Sequence, residues 1–196
     1  ARHDTTVTVT EHLRQRRDVP LTAYVLTPYR APTAAPSGEA VMFNKLPKDT
    51  VFTAQGKRLD RWVYYERPEA ARRIKVMLAN SPIEYKLAVR GYVAKQTVCK
   101  IEGKGFRAFS AEVGPPPSWT RRNIIPLVKN DRLHFEVYVD GRLVAHSGPM
   151  SYSDKPRRLV VTGLEKVREL RLVTRLGSGD KSGRTYGLWV HPALHR

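Results

Sequence analysis

Apolar and polar residues alternate with period two through much of the second half of the chain. Leu133, Phe135, Val137 and Val139 are separated by His134, Glu136 and Tyr138, the pattern of a strand with one buried face. Asp140-Gly141 follows, a pair suited to the positive φ angles of a two-residue hairpin, and Arg142-Leu-Val-Ala returns the chain. Ile83, Tyr85, Leu87 and Val89 alternate in the same way. Further strands are predicted over Thr97–Ile101, Phe106–Val113, Arg157–Thr162, Glu169–Thr174 and Tyr186–His191. One stretch has helical spacing instead. In Pro68–Ala79 the proline suits the first helical position, Glu69 favours the N-terminal dipole, and Ile74, Met77 and Leu78 form a stripe. Many strands, short turns and a single short helix predict a mainly β protein, a β-sandwich. No internal repeat is visible.

Residues 1–40 have a different character and are expected to form an extended basic, proline-containing arm ahead of a domain over 41–196. Thr5–Thr10 suits a short strand, and Glu11–Arg17 one or two helical turns. Pro20, Pro28, Pro32 and Pro36 keep the rest extended.

The 196 residues suffice for one domain with a real core, and 41% hydrophobic residues is ordinary for a globular chain. No apolar run is long enough to span a bilayer. Cys99 stands alone, which excludes an intramolecular disulfide and a cysteine-based zinc site. Charge changes the picture more. Lys and Arg number 35 against 18 acids, a formal +17, and such an excess repels itself unless a polyanion neutralises it. The cations are dispersed: Arg14, Arg16 and Arg17; Arg72 and Arg73; Arg121 and Arg122; Arg157 and Arg158. Dispersal suggests contact on several faces, as in a protein embedded in RNA.

Little points to catalysis. His191 and His195 are four apart, but Pro192 argues against a helix, so they read as surface histidines and not as a metal pair. His134 and His146 lie on opposite arms of the hairpin with no nucleophile marked beside them. Gly177–Gly183 lacks the spacing of an ATP-binding loop; with Lys181 and Arg184 its backbone N–H groups could meet a phosphate. In Gly114–Arg122 three prolines stiffen the chain, and Trp119 offers a stacking face beside Arg121 and Arg122, useful for single-stranded RNA. No catalytic residue, cofactor or metal is assigned.

The order of pieces over about residues 59–195 resembles the NPCBM family of carbohydrate-binding modules. It is carried by Phe106-Arg-Ala-Phe-Ser-Ala-Glu-Val-Gly114, by Phe135 to Val139 with the Asp-Gly turn and Ser147-Gly148, and by Leu170-Arg-Leu-Val-Thr174. The resemblance implies a jelly-roll β-sandwich. At the close, Trp189 matches the family tryptophan of an Asp-His-Ala-Asp-Trp ending. Thr185, Tyr186, Gly187 and Leu188 stand where that pattern has its Asp, His, Ala and Asp. The acidic groups that a Ca²⁺ or sugar site would use are replaced.

Two functions follow. The charge favours a non-catalytic RNA-binding structural subunit of a large ribonucleoprotein, best matched by an organellar (mitochondrial) ribosome. Its partners would be rRNA and neighbouring proteins, met through Arg14, Arg16, Arg17, Arg72, Arg73, Trp119, Arg121, Arg122, Arg157, Arg158, Lys181 and Arg184. The chain opens on Ala1, which fits an import segment already removed. The alternative is a carbohydrate-binding module, extracytoplasmic and anchored on a glycan by Trp189 or Trp119; a protein-only scaffold of a mitochondrial complex is a third reading. The first is the expectation tested below.

Overall fold

The computed structural model describes residues 2–10, 16–24, 28–33, 35–53, 63–64, 87–93, 95–116, 132–151, 153–177 and 186–196. Thirteen strands occur there: β1 (Arg2–Thr10), β2 (Arg16–Tyr24), β3 (Ala40–Met42), β4 (Val51–Thr53), β5 (Val63–Tyr64), β6 (Leu87–Tyr92), β7 (Gln96–Lys100), β8 (Ala108–Gly114), β9 (Leu133–Val139), β10 (Arg142–His146), β11 (Arg157–Thr162), β12 (Glu169–Leu176) and β13 (Tyr186–His195). The helix expected over Pro68–Ala79 lies outside the described residues. β1 and β2 form an antiparallel pair of their own, Val7 opposite Val19. Arg16 and Arg17, expected in helical turns, open β2 opposite Thr10 and Val9, because the alternating Thr and Val of β1 offer a strand edge to pair with.

The remaining strands make two antiparallel sheets. One has the order β10-β9-β12-β7-β4; the other runs β11-β8-β13-β6-β5, with β3 also paired to β13. The predicted hairpin is present: Asp140 (φ 46°) and Gly141 (φ 82°) both take the left-handed conformation that a tight turn between β9 and β10 requires.

The facing surfaces bury the alternating apolar set. Phe135, Val137, Leu170 and Leu172 from the first sheet meet Phe109, Val113, Leu159 and Trp189 from the second in one core. The sandwich of the expected fold class is thus the observed one.

β13 continues four residues past its expected end. Val190 faces Glu112 and Ala193 faces Ser110, so three steps on β13 match two on β8. His191, at φ 47°, and Pro192 sit in this one-residue bulge. A bulge tolerates a proline that has no N–H to give, and it shifts which side chains face inward. Trp189 points to the core before the bulge, and Leu194, five residues on, does so after it.

Candidate functional site

The tryptophan that carried the family resemblance is a core residue. Trp189 is 1% exposed. Its indole N–H donates to Thr174 Oγ1 at 3.0 Å, and its ring meets Phe135 edge-on at 5.4 Å between centroids. Two glycines make room. A Cβ on Gly91 would lie 2.6 Å from the Trp189 ring nitrogen, and one on Gly187 would lie 2.2 Å from the Phe135 ring. On the other face of the same sheet, Leu188 is buried with Ala88, Tyr186 and Val190 in a second apolar cluster. Tyr186, Gly187 and Leu188 thus fill with packing the place where the family pattern has ligand groups. Trp189, expected as a sugar anchor, has no exposed face to stack on a ring.

At the other end of the first sheet lies a pocket of about 420 Å³. It forms where β7 ends, β12 begins and the β9–β10 turn closes. Backbone bonds knit its floor: Ile101 N–H to Arg168 carbonyl (2.9 Å) and Asp140 N–H to Glu169 carbonyl (3.0 Å). Lys100, Glu102, Lys104, Asp140, Arg168, Glu169 and Arg171 line it beside Gly141. Several are held in place. Asp140 Oδ1 accepts the backbone N–H groups of Glu169 (2.9 Å) and Arg168 (3.2 Å). Glu169 Oε1 accepts two bonds from Arg171, at 3.1 and 2.5 Å. Lys104 Nζ reaches Asp49 at 2.8 Å and Thr50 Oγ1 at 3.1 Å, and that bond holds the Asp49 carboxyl below its ordinary value. Lys100 stands over the Phe52 ring, 5.1 Å from its centroid.

A second concavity, about 380 Å³, lies between residues 28–33 and the edge strands β10 and β11. Tyr29 fastens that segment. Its hydroxyl donates to the Arg158 carbonyl (2.9 Å) and accepts the Arg158 N–H (3.1 Å), so it covers part of an exposed strand edge. Burial raises its pKa. Arg157 packs its guanidinium over the Tyr29 ring and donates to the Ser147 and Pro149 carbonyls and to Asp154. Arg157 is therefore a clamp on the chain between β10 and β11.

Other polar groups are structural. Glu136, buried, accepts from Arg175 Nε (2.7 Å) and from the Tyr138 hydroxyl (2.8 Å); the hydrogen bonds of Arg175 to the Tyr138 hydroxyl and to Glu136 push its pKa up. Cys99 is fully buried, and desolvation pushes its thiol well up. His195, expected at the surface, is buried, with Nε2 2.8 Å from Ser110 Oγ. No cluster of three or more His, Cys, Asp or Glu able to hold a metal ion occurs among the described residues. No helix among them is long and apolar enough to cross a membrane.

Of the residues assigned to RNA, Arg14, Arg72, Arg73, Trp119, Arg121, Arg122, Lys181 and Arg184 lie outside the described residues. Arg16 and Arg17 are in β2, and Arg157 and Arg158 open β11. Sequence reasoning missed the charged pocket altogether. Its one legible trace is Glu169 and Arg171, two apart and therefore on one face of a strand.

Comparison with known proteins bears directly on these readings. The profile of the NPCBM/NEW2 domain matches residues 77–195. A comparison with curated proteins found no match. Among solved structures, the CBM51 from Clostridium perfringens GH95, in complex with methyl-galactose, is 18% identical with a TM-score of 0.54. The likeness covers 80% of this chain and 99% of that one. The CBM51-2 and INT domains of Clostridium perfringens ZmpB give 16% identity and a TM-score of 0.55, covering 100% and 37%. The tandem CBM51 modules of Sp3GH98 from Streptococcus pneumoniae give 15% and 0.53, covering 90% and 53%. This chain spans only 18% of the structure that joins the ZmpB M60 catalytic domain to two CBM51 domains.

These matches overturn the ribonucleoprotein expectation. The profile and the solved structures are of carbohydrate-binding modules; a ribosomal subunit, rRNA as a partner and a mitochondrial site find no support in them. Net charge misled because an excess of cations describes a surface and does not name its partner; the formal +17 is untouched by ion pairing, but the dispersed arginines are not all open contacts. Arg157, Arg171, Arg175 and Lys104 each hold an acidic partner, and paired cations are not a phosphate footprint.

Proposed function

The chain belongs to the NPCBM/NEW2 domain family, and from that premise we propose that it is a non-catalytic module that binds carbohydrate. One observation carries the reading: the family profile runs through the strands that build both sheets, β6 to β13. The CBM51 of GH95, which shares the fold over nearly its whole length, holds methyl-galactose. Concave, polar-lined surfaces on a rigid sandwich suit such work. A glycan ligand also favours the extracytoplasmic placement, where the sugars of cell surfaces and secretions are met. The chain serves as a targeting unit, and any chemistry belongs to another domain or protein.

The test is a binding screen of the purified chain against immobilised neutral and acidic glycans, with each positive titrated by calorimetry. Saturable binding to a defined glycan is the expected result. A chain that binds no glycan in the screen, while its melting curve shows it folded, refutes the reading.

A further inference from the structure

The lining of the charged pocket has a property at odds with the rest of the chain. Across the sequence the formal charge is +17. At the pocket it is balanced: the four cations Lys100, Lys104, Arg168 and Arg171 face Glu102, Asp140 and Glu169, and Lys104 is paired with a fourth carboxylate, Asp49. Lys104 and Arg171 already hold carboxylates, and an anion drawn to Lys100 or Arg168 also meets Glu102 and Asp140 in the same lining. A neutral molecule rich in hydroxyl groups gains more, because a hydroxyl both donates and accepts, and its bonds to charged groups are the stronger kind.

The commitments within the lining sharpen this. Asp140 is held by two backbone N–H groups, and Arg171 and Glu169 hold each other. These groups are oriented before a ligand arrives, and little is lost to order them. Beside them, the exposed Arg168 guanidinium and the exposed Glu102 carboxylate have no hydrogen bond or ion pair among the described residues. A donor fork and an acceptor pair thus line one concavity. Lys100 adds an ammonium group whose contact is the Phe52 ring.

Resting on the carbohydrate-binding reading above, we propose that this pocket is a saccharide site of the chain, and that it takes a neutral sugar through its hydroxyl groups, with Arg168 as principal donor and Glu102 as principal acceptor. The site lies at the start of β12. The packed Tyr186–Trp189 segment belongs to the other end of the sandwich, where Trp189 meets Thr174. Thr174 is five residues along β12 from Glu169, about 17 Å at the usual rise of a strand, so the two places are separate. Packing has closed the one and charge pairing has built the other.

The experiment is a titration of the ¹⁵N-labelled chain with methyl-galactoside and with a set of neutral oligosaccharides, alongside Arg168→Ala and Glu102→Ala. Both positions are exposed, so the variants keep the wild-type melting curve. The expected result is amide shifts centred on residues 100–104, 140–141 and 168–171, about a tenfold loss of affinity in each variant, and affinity that changes little with salt. Arg168→Lys recovers part of the loss. Sugar-induced shifts elsewhere with unchanged affinity in both variants overturn the pocket and leave the carbohydrate reading standing. Binding restricted to acidic glycans or polyphosphate, and abolished by salt, overturns the neutral-sugar assignment. No response to any glycan overturns both readings at once.

Discussion

The two ends of the sandwich have been put to opposite uses. Around Trp189 everything polar is spent on packing. The indole N–H has its acceptor, two glycines give up their side chains to let aromatic rings approach, and the residue standing in a family acidic position, Leu188, is buried. Around Asp140 and Arg168 the backbone is equally well held, yet the side chains are exposed, charged and partly uncommitted. The difference separates what a family keeps for its fold from what one chain uses for its ligand. A residue that identifies the family need not touch what the family binds.

The strongest way to break this contrast is to remove the tryptophan. Trp189→Ala leaves a cavity beside Phe135 and deprives Thr174 of its donor, and the expected loss is about 3–5 kcal/mol of stability by urea denaturation. If the variant instead stays fully stable and loses only glycan binding, Trp189 is a ligand residue and the contrast fails. Gly187→Ala is the gentler probe. It restores the alanine of the family pattern but drives a methyl group into the Phe135 ring. Overpacking of this kind costs about 1–3 kcal/mol, and an unchanged melting temperature would mean the ring is free to move aside.

The corresponding probe at the open end is Asp140→Ala. Two backbone hydrogen bonds disappear and a left-handed residue loses the side chain that tolerates that conformation. The expected cost is about 1–2 kcal/mol. Glycan affinity falls as well, because the Arg168 backbone is no longer fixed. Asp140→Asn keeps both the acceptor and the turn, and should behave nearly as wild type in both assays.

Much of the fold was legible because alternation, an Asp-Gly turn and closely spaced strands are local signals. The strands Leu133–Val139 and Arg157–Thr162 were read to the residue, and β10 runs one residue past the expected Ala145. β13 was cut short at His191, because only a partner strand reveals the bulge that lets the chain continue through Pro192. His195 was misjudged for the same reason, since its burial depends on Ser110, 85 residues away. The pocket was illegible because its residues come from three separate stretches that meet only through the register of β7, β12 and β9. The charge was legible and misread: a net excess of cations does not say which partner, if any, it meets.

The smallest effect concerns His195, which lies at the far end of β13 from Trp189, paired with Ala108 at the start of β8. Desolvation lowers its pKa below the ordinary value, and the nearby Arg158 adds to the shift. Nδ1 is buried without a hydrogen-bond partner among the described residues, and the proton that charges the ring has no acceptor there. Above about pH 6.5, the usual histidine value, neither folded nor unfolded chain protonates this ring, and His195 contributes nothing to pH dependence. As the pH falls below that value, the unfolded chain takes up a proton before the folded one does, and stability drops until the folded pKa has also been passed. Chemical denaturation at a series of pH values should show this acid-side loss in the wild type and a shallower loss in His195→Gln, which keeps a polar group near Ser110 but cannot titrate. Sugar binding at the charged pocket should be the same in both proteins at neutral pH. Parallel pH curves for the two proteins would show that the imidazole takes up its proton equally well in the folded and unfolded chains, and that its burial beside Ser110 does not disfavour the charged ring.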